Sequence, residues 1–420
     1  MFSNSSLHLY NVVVPLWAWV LTQDELLLGI VFGARHFLPM LLLIHGGALM
    51  DRFGARRVTL YFAVAAMVIP LLYPLLPFVS ALIILQMLGG LTVMTCWIGS
   101  QSLTGSIMRG EPVYTGRLTM STRIGSFIGP PLVGAIVDLA GIRPAFLFLG
   151  LWAGLTLLCA ALLPKDGEES HEDRHGTPPR VAPRLADMLP RLSDYLDAFR
   201  LAAIPAIGLV MMVTLLRHSG VAMQSNFYVV YLNDIGISGT LIGLLFSVLG
   251  VCGGTAALFV GQLAKRFSAR HILFAAIGVG VTMIMITPLI GASGFTVDAR
   301  GVVSLLRTVG ISSDLGPAAG VLGLYILFLI AMGIRGIASG VSQSMEISLI
   351  AQAAGVAGQG KGAALRVTAG RVAAVVLPIF MGAIAKMFGI EASFYVVGGG
   401  ILLVLAVVAF RAPPDPAEKP

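Results

Sequence analysis

Runs of about twenty apolar residues recur from one end of this chain to the other, separated by Gly, Pro and clusters of charge. A helix needs roughly 20 such residues to cross a hydrocarbon layer about 30 Å thick. Inside that layer the backbone has no water to bond, so each run must close its own hydrogen bonds as a helix. The run boundaries place spans near 2–21, 25–49, 58–77, 79–106, 115–141 and 143–163, then near 201–233, 237–264, 272–293, 320–346, 362–386 and 391–411. Six spans, a polar connection and six more make an all-α membrane protein. Composition agrees, with 57% hydrophobic and 11% charged residues, where soluble domains carry about 25% charged. Water-soluble enzymes, disordered chains and, despite 50 Gly, collagen-like chains are excluded. Cys96, Cys159 and Cys252 all lie in apolar runs, with neither a disulfide framework nor a metal spacing. His36, His45 and His218 offer no ligand pair at i, i+4 on one face, so no metal and no cofactor is expected.

The basic residues orient these spans. With the N-terminus in the cytoplasm, 18 of the 27 Lys and Arg fall on the cytoplasmic side and only Arg143, Arg300, Arg307 and Lys386 fall outside. The remaining five, Arg35, Arg123, Arg217, Arg335 and Arg371, lie within spans. This bias is the positive-inside pattern, and it puts both termini in the cytoplasm. The net charge of +7 is thereby a matter of topology and implies no nucleic-acid partner. The first span is short, which fits either a short helix or a start upstream. Residues 1–163 and 201–411 are expected as two six-helix units joined by a cytoplasmic linker, 164–200, with a cytoplasmic tail at 412–420. Within the linker, Leu185, Met188, Leu189, Leu192, Leu196 and Phe199 have helical spacing, as in an amphipathic helix on the inner membrane surface. Residues 294–319 form an insertion on the outer side, either a short interfacial helix or a loop.

The two units repeat each other. Gly47-Ala-Leu49-Met-Asp51-Arg52-Phe53 aligns with Gly261-Gln-Leu263-Ala-Lys265-Arg266-Phe267 at an offset of 214 residues. In spans 5 and 11 the offset is 248: Arg123 aligns with Arg371, Pro130 with Pro378, Gly134 with Gly382 and Gly141 with Gly389. Ser100-Gln101-Ser102 recurs as Ser342-Gln343-Ser344. Related six-helix units imply a pseudo-two-fold axis along the membrane normal, with a cavity between them.

Two motifs carry a family resemblance. Gly47-x-Leu49-x-Asp51-Arg52-x-Gly54-x-Arg56-Arg57 closes span 2. Gly47 permits close helix approach, Gly54 a tight turn, and Asp51 can pair with a neighbouring Arg. The second motif, Gly125-x-x-x-Gly129-Pro130-Pro131-x-x-Gly134, thins and bends span 5. The first resembles the loop 2–3 signature of the major facilitator superfamily with every fixed position filled. The second resembles the antiporter signature commoner among that family's exporters, except that Ala135 stands where a second Gly is usual. The resemblance covers the whole chain. It implies twelve transmembrane helices in two pseudo-symmetric six-helix bundles around a central cavity, in the cytoplasmic (inner) membrane of a bacterium. It also implies that the loop 2–3 cluster latches the cytoplasmic side. The exporters' intramembrane Arg in span 4, associated with proton coupling, is replaced by Gln86, which weakens the case for simple proton antiport.

Ionisable groups inside a membrane are costly and usually face a cavity. Glu346 is the one acid in a cavity-lining span away from the outer edge, against five Arg, so the pathway favours anions. Arg123 and Arg371 fit either gate contacts or the pathway. Arg35, Arg217 and Arg335 join the polar residues Asn11, Gln101, Gln224, Asn226, Ser339 and Gln343 as candidate substrate contacts, with Trp17, Trp19 and Tyr228 as apolar walls or interfacial anchors. Glu346 and His218 are the candidate proton carriers. The expected function is secondary transport of a small anionic or amphiphilic solute by alternating access, export favoured over organic-anion uptake or exchange. A sensor or scaffold without flux is the alternative from another class. No nucleophile–base pair, metal cluster or Walker motif points to an enzyme or an ATP-driven pump, and no catalytic residue is assigned. The expected partners are the substrate, the lipid bilayer and a proton or counter-solute, for a protein acting as a monomer.

Overall fold

The computed structural model describes residues 1–107, 112–163, 205–294 and 318–411. Side chains within these stretches are described except at some helical positions, among them Gly47, Asp51, Arg52 and 347–368. The linker, its amphipathic segment, the insertion at 295–317 and the tail therefore lie outside the described residues. The elements are α1 (Phe2–Leu21), α2 (Glu25–Phe53), α3 (Ala55–Leu72), α4 (Val79–Ile107), α5 (Pro112–Ala140), α6 (Ile142–Ala161), α7 (Pro205–Ser225), α8 (Phe227–Asp234), α9 (Gly239–Ala264), α10 (Ala269–Met285), α11 (Thr287–Gly291), α12 (Ala318–Phe388) and α13 (Ile390–Arg411). Among the described residues every regular element is a helix. Nine segments among the described residues are long and apolar enough to cross a membrane.

The three remaining spans expected from sequence depart for local reasons. In α1 the polar start Ser3-Asn4-Ser5-Ser6 lowers the hydropathy, yet this end is packed inside the bundle. Ser6 Oγ bonds Phe2 O at 2.8 Å, Ser3 and Ser100 hydroxyls meet at 2.9 Å, and Trp152 Nε1 donates to Ser5 Oγ at 2.9 Å. Span 7 breaks at Asn226, whose side chain bonds back to Ala222 O at 2.9 Å. Span 9 breaks at Ile286, just before Pro288, which has no N–H to continue the ladder.

Spans 10 and 11 form a single helix, α12, 71 residues long, carrying two apolar segments, Gly323–Glu346 and Ala369–Phe388. Glu346 bonds Arg217 and Thr214 of α7, while Gly370 meets the ring of His218. Along a straight helix Glu346 and Gly370 would stand about 36 Å apart. The two segments therefore lie side by side against α7, as two spans must. Gly141 (φ 90°) ends α5 and Gly389 (φ 89°) ends the second segment of α12, at matching positions of the repeat. Gly54 (φ 91°) makes the turn between α2 and α3, a conformation that residues with a Cβ rarely adopt.

The helices that join the halves are α2 with α12 and α5 with α9, and their contacts repeat at the sequence offsets. A Cβ on Gly29 would overlap Pro378 O, and one on Gly243 would overlap Pro130 O. Gly382 packs on Glu25 and Gly29, as Gly134 packs on Gly239. Gly33 packs on Val375 O, where its counterpart Ser247 donates to Phe127 O at 2.6 Å. Each pair is one helix's small residue laid on the other's backbone, which brings the axes close. These contacts begin at the face of the bundle bearing Asp24, Asp138 and Lys386, opposite the Arg56 face. There Lys386 pairs with Asp24. Asp138 accepts from Gly239 N and Thr240 N, both at 2.8 Å, capping α9 from the other half. The Asp24 face is closed.

Candidate functional site

Twelve residues into α2 from Asp24, about 18 Å along the helix axis, the glycine contacts give way to a polar cluster. Arg371 of α12 donates from Nη1 to His36 Nδ1 at 3.1 Å and from Nη2 to Met94 Sδ at 2.8 Å, tying itself to α2 and α4 of the other half. The preceding residue, Gly370, lets the His218 ring of α7 approach the helix backbone. His218 Nε2 faces Arg217 Nη2 at 3.2 Å and His218 Nδ1 faces Thr214 O at 3.0 Å. Arg has only donors, so Nε2 accepts and Nδ1 carries the proton that bonds Thr214 O. Arg217 Nε pairs with Glu346, which also accepts from Thr214 Oγ1 at 3.0 Å. Glu346 is 1% exposed, and a carboxylate so buried persists only when paired.

A separate cluster holds Arg35. Its Nη1 donates to Asn11 Oδ1 at 2.8 Å, its Nη2 to Leu7 O at 3.2 Å, and its guanidinium lies 4.8 Å from the Tyr10 ring centre. Gln86 stands nearby on α4, buried, accepting from Tyr73 Oη at 3.2 Å. A Cβ on Gly90, one turn further along α4, would overlap Arg35 O.

Thus Arg217, His218 and Glu346, selected from sequence in separate roles, form one network, and Asn11 and Arg35 form another. Gln224 does not line an open path: it is buried with Nε2 on Met332 Sδ at 3.0 Å. Asn226 is likewise buried at the α7–α8 break. Arg335 and Ser339 line a cavity bounded by α7, α10 and α12, all within the C-terminal half. Gln101 and Gln343 are exposed. Trp17 packs edge-on against Phe146 and is buried within the N-terminal half. Of the motif residues, Gly54 supplies its turn. Arg56 donates to Ala160 O and Ala161 O at the end of α6, and Arg57 is exposed. Leu49 is half-buried. Gly47, Asp51 and Arg52 have no described side chains. Gly129 packs on Leu9, while Pro130 and Gly134 meet α9.

Arg123 and Arg371 occupy equivalent places and differ in company. By the offsets, His36 and Met94 correspond to Gly250 and Gly336. A Cβ on Gly250 meets nothing within 4 Å. Arg123 is exposed and has no hydrogen-bond or ion-pair partner among the described residues. Arg35 and Arg123 both act electrostatically on His8 of α1. His36, Met94, Thr214 and Asp138 were not selected from sequence. Only Asp138 left a signal, standing one turn beyond Gly134 at the outer end of span 5.

A family model described as the Major Facilitator Superfamily matches residues 2–315 and 210–420. The chain belongs to the major facilitator superfamily. The two overlapping matches span both halves of the all-α, duplicated fold. Among solved structures of the superfamily's fold, a nucleoside transporter, NupG, is similar at 12% identity and TM-score 0.69, over 98% of each chain. A bacterial homolog to the human lysosomal transporter Spinster, in an inward-facing and unoccupied conformation, is similar at 12% identity and TM-score 0.67, over 97% of this chain and 93% of that one. No curated protein sequence matches this chain. As a superfamily member it is a multi-pass membrane protein of the secondary-transporter class.

Proposed function

We propose that the protein carries a small anionic or amphiphilic organic solute across the membrane by alternating access, in the direction of export. The observation that carries this reading is Arg123, an exposed guanidinium without a partner among the described residues, where the repeat puts Gly250 of α9 in the place of His36. Its twin Arg371 is occupied by His36 and Met94, Arg35 by Asn11 and Leu7 O, and Arg217 by Glu346. Of the described arginines near the meeting of the halves, Arg123 is thus the one left available to a cargo carboxylate or phosphate. Arg35, close by, adds to the positive field. With both termini in the cytoplasm, as the basic residues suggest, the closed Asp24 face is the outer one. Export rests on the resemblance of the α5 segment Gly125–Gly134 to the antiporter signature.

Coupling, where protons supply it, runs through Glu346 and His218. Protonation of His218 Nε2 removes the acceptor that Arg217 Nη2 uses, and protonation of Glu346 releases Arg217 altogether. The first step loosens Arg217 while Glu346 still holds it, and the second frees it as another cation beside the cluster that spans the halves.

The test is flux of a labelled panel of organic anions, cations and neutral solutes through proteoliposomes of known sidedness. Loss of a charge-assisted partner costs roughly 1.5–3 kcal/mol, so Arg123→Ala should weaken anion binding about tenfold or more. Gly250→His, which copies the partner of Arg371 onto α9, should do the same while keeping the arginine. A cation as the tightest ligand, with affinity unchanged in both variants, rejects the reading. Flux only into the cytoplasmic compartment replaces export by uptake.

A further inference from the structure

Arg335 presents a charge that the protein leaves uncompensated. It is 5% exposed, on the first apolar segment of α12. Its Nη2 donates to Gly220 O of α7 at 3.2 Å, whereas Nε and Nη1 are buried without any partner. The groups acting on it electrostatically are Tyr228 and Arg217, and Arg217 already faces Glu346. Among the described residues no carboxylate offsets this guanidinium, which is charged at any physiological pH. The counterpart of Arg335 in the N-terminal half is Val93, an apolar residue, so the charge is not inherited from the shared scaffold.

The same side chain lines a cavity of about 30 Å³ between α7, α10 and α12, whose walls include Gly220, Gly280, Ser339 and Ser342. Ser342 Oγ is turned back on Ser339 O at 3.1 Å, and Ser339, half-buried at the same wall, carries a hydroxyl that can donate. A site for one water needs roughly 10–15 Å³ on this measure, so the space holds one monatomic anion or about two waters. It is far below the roughly 300–1,000 Å³ of an organic-ligand pocket. Waters would satisfy the N–H groups but bring no charge, and an unpaired buried cation is much costlier than an unpaired neutral donor.

We propose that this cavity is a halide site, in which a chloride ion accepts from one of the two unpartnered N–H groups of Arg335 and from Ser339 Oγ. The site lies within one half of the transporter, shares Arg217 as part of its wall, and does not depend on what the cargo is. Chloride there neutralises Arg335 and ties α12 to α7 and α10.

The experiment uses the full-length protein purified in detergent and exchanged into sodium gluconate, with thermal unfolding followed by tryptophan fluorescence. Gluconate is replaced stepwise by chloride, bromide, acetate or sulfate at constant ionic strength. Chloride and bromide should raise the unfolding temperature saturably, and acetate and sulfate should not. Arg335→Gln should weaken halide binding at least tenfold, as expected for removal of a charged donor. Gly280→Ala is the second variant, in case Arg335→Gln fails to fold. Its Cβ would meet only Ala338 Cβ, at 3.7 Å, so it is sterically tolerated while its methyl takes up the cavity. Gly280→Ala should abolish the halide response. An equal response to all anions, a response that survives Gly280→Ala, or none at all would mean that the cavity holds water only, and would overturn the proposal.

Discussion

Gly243→Ala, with its twin Gly29→Ala, tests whether the repeated glycine contacts set the balance between two conformations. A Cβ at Gly243 falls 2.5 Å from Pro130 C and 2.7 Å from Pro131 N, and one at Gly29 falls 3.0 Å from Pro378 C and 3.1 Å from Ile379 Cα. All four are backbone atoms, which cannot swing aside as a flexible side chain would. Favourable carbon contacts lie near 3.5–4.0 Å, so each helix pair must separate by about 1 Å. Overpacking of this kind costs typically 1–3 kcal/mol. The cost falls only on the conformation in which the Asp24 face is closed, because only there do these helices touch. The equilibrium should therefore move toward the form open at that face by a factor of about 5–150.

The assay is electron–electron distance measurement between spin labels at Leu139 and Leu289, which are 90% and 62% exposed and belong to opposite halves at the Asp24 face. The background lacks Cys96, Cys159 and Cys252. Both alanine variants should enlarge the long-distance population. Gly250→Ala is the control, since its Cβ meets nothing within 4 Å, and it should leave the distribution as in the wild type. Unchanged distances in Gly243→Ala and Gly29→Ala, or an equal shift in Gly250→Ala, would falsify the assignment of these contacts to closure.

Two further predictions concern charge. Glu346→Gln strips Arg217 of its counter-charge and should destabilise the fold by about 3–5 kcal/mol, with most of the loss recovered in Glu346→Gln/Arg217→Met, measured by chemical unfolding in detergent; in proteoliposomes, gradient-driven accumulation that survives both Glu346→Gln and His218→Gln would remove these two as proton carriers. At the Asp24 face, the bond from Lys386, reinforced by Leu27 N–H, holds the Asp24 carboxyl below the usual carboxylate range. A depressed pKa favours the closed form above the ordinary value of about 3.9 and loses that contribution as pH falls through the lowered one. Closure measured by the same spin labels should be constant from about pH 5 to 8 and weaken only below about 4, and Asp24→Asn should abolish that acid dependence.

Most of the fold was legible because membrane insertion leaves a coarse signal. Apolar length locates a span wherever the backbone stays helical, and the offsets of 214 and 248 reappear as matched contacts at Gly29 and Gly243. The breaks at Asn226 and Ile286 were marked only by Gln224-Ser225-Asn226 and by Pro288, signals that a membrane span also tolerates within a continuous helix. The site was half legible. Buried charge marks Arg217 and Glu346 from sequence, but the sign of a charge does not say which neighbour it meets. Arg335 shows the limit: its type and depth resemble those of Arg217, yet Arg217 meets Glu346 while two N–H groups of Arg335 meet nothing. Met94 and Thr214 leave no trace in sequence, because a thioether or a hydroxyl becomes an acceptor or donor only through what packs beside it.

What distinguishes the two halves is the chemistry added to a shared scaffold. At the Asp24 face Asp138 aligns with Lys386, and Ser238 with Asp24. One interface therefore carries its acid on α5, reaching across to cap α9, while the other carries its acid at the start of α2 and receives a lysine from α12. Deeper in, Arg371 is held by His36 and Met94, whose counterparts in the other interface are Gly250 and Gly336. Two identical interfaces would open and close with equal ease and would respond equally to any bound charge. Here the α2–α12 pair is already tied by Arg371 and Lys386, so an arriving anion has little to add to it. The α5–α9 pair has an unmet cation and open space beside it. On the reading proposed above, cargo charge acts on that pair, and the α2–α12 pair serves as the fixed side about which the other moves.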